Sequence, residues 1–106
     1  MADFLGLMKQ AAELKSKMEA MQAELDMVEV EGMSGGGLVI VRLSGKGEMK
    51  GVKIDPSLMK PQEKEIVEDL VVAAHADARR KAETLLQEKM KNVAGGLPLP
   101  PGMKLF

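Results

Sequence analysis

The side chains with the richest chemistry are scarce. Cysteine is absent, and the one histidine, His75, interrupts the apolar side of a predicted helix with no nucleophile motif beside it. A lone imidazole cannot complete a zinc set or a thiol–imidazole pair, so His75 reads as structural or interfacial. No catalytic residue, metal ligand or disulfide is expected, which fits a reducing compartment. Carboxylates stand four residues from lysines, as in Lys9/Glu13, Glu13/Lys17 and Lys15/Glu19. That is the spacing of a solvated helix face, not of a paired-acid site. Ser34-Gly35-Gly36-Gly37 has the glycines of a phosphate loop, but no Gly-Lys-Ser/Thr follows and the next run is a strand. Without a helix N-terminus to hold an anion it reads as a hairpin turn. The sequence thus points away from an enzyme, with no cofactor and no small-molecule substrate.

Charge is what remains. The 15 basic and 16 acidic residues nearly cancel, at a net of −1 and a pI near 5.9. Any phosphate-binding surface must therefore be local. Lys9, Lys15 and Lys17 lie in the first helical segment, and Arg79, Arg80, Lys81, Lys89 and Lys91 in the second. These eight are the candidates for contact with a polyanion, with Arg42, Lys50 and Lys53 of the strands in reserve, although on the residues alone a solvated helix surface outweighs such a contact. Glu13, Glu19, Asp77, Glu83 and Glu88 are near enough in sequence to neutralise them. About 100° separates neighbouring helical residues, so Arg79-Arg80-Lys81 cannot all face one ligand, whereas Arg80 and Lys91 share a side. Aromatic residues make up 2% of the chain, with no Trp and no Tyr. A module that holds single strands by stacking bases on exposed rings is therefore nearly excluded.

The elements that position these charges follow from hydrophobic period. From Phe4 to Val28 two seven-residue series interleave: Phe4, Ala11, Met18, Leu25 and Leu7, Leu14, Met21, Val28. This heptad stripe predicts a helix of about 38 Å, too long for a domain this small to cover. Part of the stripe must meet a second helix, either the C-terminal one or a copy from another subunit. Val28 to Glu31, Leu38 to Leu43 and Met49 to Ile54 read as three strands joined by glycine turns, an antiparallel meander. Asp55-Pro56-Ser57 closes it, and Pro61 opens a second long helix ending near Gly95-Gly96. Ala73, Ala74, Ala76, Ala78 and Ala82 thin that helix for close approach. The fold class is α+β, with residues 1–96 as one domain and 97–106 as an extended Pro-rich arm. The N-terminus lacks the basic start and apolar stretch of a signal peptide, and Leu70 to Ala74, the longest apolar run, cannot span a bilayer. The expectation is a cytoplasmic protein with no membrane partner. With ten Met and two Phe, at Phe4 and Phe106, the core is aliphatic and thin, which favours self-association.

In this order and spacing the segments resemble the YbaB/EbfC family of bacterial nucleoid-associated proteins over nearly the whole chain. The carriers are Leu7-Met8-Lys9-Gln10-Ala11, Gly35-Gly36-Gly37-Leu38-Val39, Val52-Lys53-Ile54-Asp55-Pro56-Ser57-Leu58, Glu68-Asp69-Leu70-Val71-Val72-Ala73-Ala74, Gln87-Glu88-Lys89-Met90 and Leu99-Pro100-Pro101-Gly102-Met103-Lys104. His75 departs from the pattern, standing where the family often has an aromatic. The resemblance implies a tweezer-like homodimer of helix–meander–helix protomers that binds double-stranded DNA with little sequence preference, contributing to nucleoid organisation and gene regulation. The alternative function is a coiled-coil interaction module at a replication or recombination locus, with DNA binding incidental.

Overall fold

The heptad stripe forms helix α1 (Ala2–Met27) in the computed structural model, which describes residues 2–94. Strands β1 (Glu29–Ser34), β2 (Val39–Ser44) and β3 (Met49–Ile54) follow, then 3-10 turns at Pro56–Leu58 and Pro61–Glu63, then helix α2 (Lys64–Ala94). The strands form one antiparallel sheet in the order β1-β2-β3, so the α+β helix–meander–helix fold is as expected. The expected arm at 97–106 lies outside the described residues. Several boundaries moved: α1 gives way before Val28, β2 is shifted one residue on from the expected Leu38–Leu43, and two further changes have a visible cause. β1 continues past the Val28–Glu31 alternation because Gly32, Met33 and Ser34 pair with Val41, Ile40 and Val39. Pro61 opens a 3-10 turn instead of α2, and the α-helix starts three residues later, at Lys64.

One face of the sheet is buried under α2. Val39, Val41 and Leu43 alternate along β2 and are fully buried, as are Ala74 and Ala78 of α2, with Leu58 closing one end. Each buried Val or Leu contributes about 1.5–3 kcal/mol. The alanines serve a second purpose at Gly32, which faces them across the sheet. A Cβ built on Gly32 would lie 2.2 Å from the Ala74 carbonyl oxygen and 2.2 Å from the Ala78 backbone nitrogen. Helix and strand therefore meet backbone to backbone, which only small side chains on both sides permit.

Hydrogen bonds from α2 seal the outer edge of β1. The Met33 N–H donates to Asp77 Oδ2 at 3.0 Å, Lys81 Nζ donates to the Glu31 carbonyl at 2.8 Å, and Ser34 Oγ donates to the Leu70 carbonyl at 2.6 Å. Edge strands invite pairing with other chains, and this one is closed by its own helix. The opposite edge belongs to β3, where the register slips so that Arg42 faces Gly51 and Leu43 faces Met49.

At the other end of the sheet the β2–β3 turn caps α1. The Gly45 N–H donates to the carbonyls of Leu25 and Val28 at 3.0 and 2.9 Å, satisfying carbonyls at the end of the helix. The buried Ser44 Oγ accepts from the N–H groups of Lys46 and Glu48, both at 3.2 Å. The stripe of α1 is thus anchored at its C-terminal half, where Met21 and Leu25 are buried. The molecule is elongated, 72 × 27 × 15 Å, because the N-terminal half of α1 extends beyond the sheet.

Candidate nucleic-acid interface

The candidate cations divide into those tied up in the fold and those left facing solvent. On α1, Lys9, Lys15 and Lys17 are exposed. Helical geometry sets Lys9 opposite the apolar stripe and Lys15 and Lys17 on its two flanks, each about 80° from its centre. The i,i+4 pairs expected along α1 are open. Among the described residues none of the three lysines has a carboxylate within ion-pair distance, since exposed pairs gain too little to immobilise two long side chains.

On α2 every cation of the triplet has a carboxylate neighbour, and only one of the three is structural. Lys81 Nζ lies 3.2 Å from Asp77 Oδ2 while also donating to the Glu31 carbonyl, so it spans from helix to strand edge. Arg79 Nε meets Glu83 Oε1 at 3.2 Å, and Arg80 Nη2 meets Asp77 Oδ1 at 3.3 Å. Both arginine side chains remain 69% exposed, so each guanidinium keeps donors free for a phosphate. Lys89 pairs with Glu24 across the gap between α2 and α1. Lys91 is exposed in the last turn.

Two open grooves each bring two of the eight candidates together, and Lys9, Lys15, Arg79 and Lys91 line neither. Arg80 and Lys81 line one of about 440 Å³ beside Val30 and Thr84. Lys17 and Lys89 line another of about 280 Å³ between α1 and α2, with Glu24 at its side. Of the reserve set, Arg42 lies over Gly51 and meets Glu29 at 3.7 Å, and Lys50 pairs with Glu48 at 3.4 Å.

Asp77 is the residue whose importance the sequence hid. Its i,i+3 and i,i+4 spacing to Arg80 and Lys81 is legible, but its bond to Met33 depends on strand and helix meeting. That backbone N–H, then the Lys81 ammonium and the nearby Arg80 charge, hold its carboxyl below the ordinary aspartate range, against a smaller opposing cost of burial. A depressed folded-state value gives stability that is present above the unfolded value of about 3.9 and lost as pH falls through the folded one. The melting temperature is therefore expected to fall with acid below about pH 4, and Asp77→Asn to flatten that fall. Equal acid sensitivity in the variant and parent would remove this role. Asp55, held below its ordinary range by hydrogen bonds from Ser57, contributes in the same direction.

Among the described residues no group of three or more His, Cys, Asp or Glu is placed to hold a metal ion, and no helix is long and apolar enough to cross a membrane. What the surface offers is exposed cations on two long helices, the kind of footprint that meets a polyanion. A model of the YbaB/EbfC DNA-binding family matches residues 1–97. The chain belongs to that family.

Relatives of nearly identical length carry the same theme. A nucleoid-associated protein of Rhodopseudomonas palustris is 68% identical over 105 residues, with 99% of each chain covered. Another, from Nitrobacter hamburgensis, is 70% identical with the same coverage. The crystal structure of an uncharacterized Helicobacter pylori protein superposes with a TM-score of 0.68 at 27% identity, covering 85% of this chain and 90% of that one. YbaB/EbfC is a family of DNA-binding proteins, not an enzyme class.

Proposed function

We propose that this YbaB/EbfC protein acts in the cytoplasmic nucleoid as a homodimer that binds duplex DNA with little sequence preference, organising the nucleoid and contributing to gene regulation. The observation that carries the reading is the pair of exposed arginines, Arg79 and Arg80, whose surface ion pairs leave guanidinium donors facing solvent, on a helix of a family member whose whole-length relatives are named nucleoid-associated. Lys15 and Lys17 on α1 join them, with Lys9, Lys81, Lys89 and Lys91 as further candidates. Contacts of this kind go to phosphate and position a protein without reading bases. Neither helix belongs to a helix-turn-helix or finger, so any preference would come from duplex shape.

Dimerisation finds support in the edge of β3, since α2 closes that of β1, and in the exposed apolar side chains nearby, Met49 and Val52 among them. Light scattering at micromolar concentration is expected to give twice the chain mass; a folded monomer would remove the dimer.

The test of DNA binding is a gel shift on random duplex across salt. With about three phosphate contacts per protomer, six in a dimer, log K is expected to fall with log salt at a slope of roughly −5. EDTA should leave the shift intact. A slope near zero, or loss of binding in chelator, would overturn the reading, and the coiled-coil interaction module would stand in its place.

A further inference from the structure

The chain has no cysteine, so its ten methionines carry all of its sulfur, and three of them meet in one place. Met18 and Met21 stand three residues apart on one side of α1, and across an open groove of about 440 Å³ they face Leu86 and Met90 of α2. Met21 and Leu25 are buried at its floor, 6% and 2% exposed, while Met18 and Met90 are half-buried at its walls. The other ties that hold this part of α1 are polar: the Gly45 N–H on the Leu25 carbonyl, and the surface pairs Lys46–Asp26 and Lys89–Glu24. Surface pairs weigh little, so the apolar contact at the methionines sets how firmly α1 is held.

Leucine would fill the same volume at each of the three positions, and what methionine adds is a thioether that a two-electron oxidant can reach. We propose that Met18, Met21 and Met90 form an oxidation site for peroxides, at which sulfoxide formation loosens α1 from α2. Hydrogen peroxide is small and uncharged and enters the groove without displacing a side chain. The sulfur of Met18 or Met90 gives an electron pair to one peroxide oxygen, the O–O bond breaks as the S–O bond forms, and the second oxygen takes the proton of the first and leaves as water. The product is a polar group in an apolar contact, which costs burial energy that the thioether did not. As the contact opens, the buried Met21 becomes reachable in turn. A thiol-dependent sulfoxide reductase restores the thioether, releasing the oxygen as water while two thiols become a disulfide. Met27, 85% exposed, takes up oxygen as readily but lies outside this contact, so its oxidation leaves the fold unchanged.

The site is independent of the DNA reading and is tested without nucleic acid, on the full-length protein treated with hydrogen peroxide. Peptide mass mapping is expected to find one added oxygen on Met18 and on Met90, the melting temperature to fall by about 5 °C, and amide hydrogens of residues 18–25 to exchange about tenfold faster. Treatment with a sulfoxide reductase and dithiothreitol should restore both. In Met18→Leu, Met21→Leu, Met90→Leu the same peroxide should leave the melt where it was, although Met27 is oxidised. Met27→Leu, Met59→Leu, which keeps the three groove methionines, should lose as much stability as the parent. Met18 and Met90 left unmodified after Met27 is fully oxidised would overturn the site. So would an unchanged melt once both carry oxygen, an equal loss in the triple variant, or protection in Met27→Leu, Met59→Leu; the three methionines would then be fillers of an uneven contact.

Discussion

Gly32→Val is expected to leave the chain largely unfolded at room temperature, with a circular dichroism melt that has lost its cooperative transition. The added side chain would begin inside the van der Waals envelope of α2, 2.2 Å from one backbone atom of Ala74 and one of Ala78, and 2.7 Å from the Ala78 Cα. Flexible side chains can swing away from such an intrusion, but a helix backbone cannot. Relief requires lifting α2 off the sheet, exposing Val39, Val41 and Ala74 together. Overpacking costs about 1–3 kcal/mol where side chains can adjust, and this contact belongs at or beyond the top of that range. Against a total stability of about 5–15 kcal/mol that is decisive in a small protein. Gly36→Ala is the control: its Cβ meets nothing within 4 Å, and the only cost is its left-handed backbone at φ +70°. A Gly32→Ala variant that melts like the parent would contradict the close approach of α2.

Replacing Arg79 and Arg80 together with Ala is expected to cost duplex affinity about three orders of magnitude at 0.1 M salt. Each of the two protomers would give up two of its phosphate partners, leaving about two of six in the dimer, and the salt slope would shrink from roughly −5 to roughly −2. The loss should be the same on every sequence, since phosphate contacts do not read bases. The fold should survive, because both side chains are exposed and their ion pairs with Glu83 and Asp77 are surface pairs of little weight. Lys81→Ala should behave differently. It removes the bond to the Glu31 carbonyl and loosens β1, so its effect should appear in the melt before it appears in the salt slope. Parent-like binding by the double variant at the same salt would move the interface to Arg42, Lys50 and Lys53.

Much of this molecule is local in origin. The two interleaved heptad series of α1, the β-branched run of β2 and the glycine turns each state their conformation through nearest-neighbour sterics and side-chain period, which is why helix, meander and helix were legible in that order. The third strand fell on Met49–Ile54 as expected. The family resemblance was legible for the same reason, being carried by short runs. The eight candidate cations were legible as charges, and as charges they were equivalent.

Tertiary structure separated them. Lys81 and Lys89 are drawn into bonds with Glu31 and Glu24, which lie 50 and 65 residues away in the chain, while Arg79 and Arg80 keep partners within one helical turn and stay in solvent. Asp77 became the clasp of the β1 edge only because Gly32 and the alanines bring β1 and α2 together. The same packing decided which half of the α1 stripe is covered. A seven-residue repeat specifies that a helix has an apolar side, but which of its residues are buried depends on where α2 runs after crossing the sheet. Sequence therefore determined the elements and the inventory of charge through short-range periodicity. Which charges are drawn into the fold, and which stay in solvent, was decided by contacts between residues far apart in the chain, whose proximity no local pattern encodes.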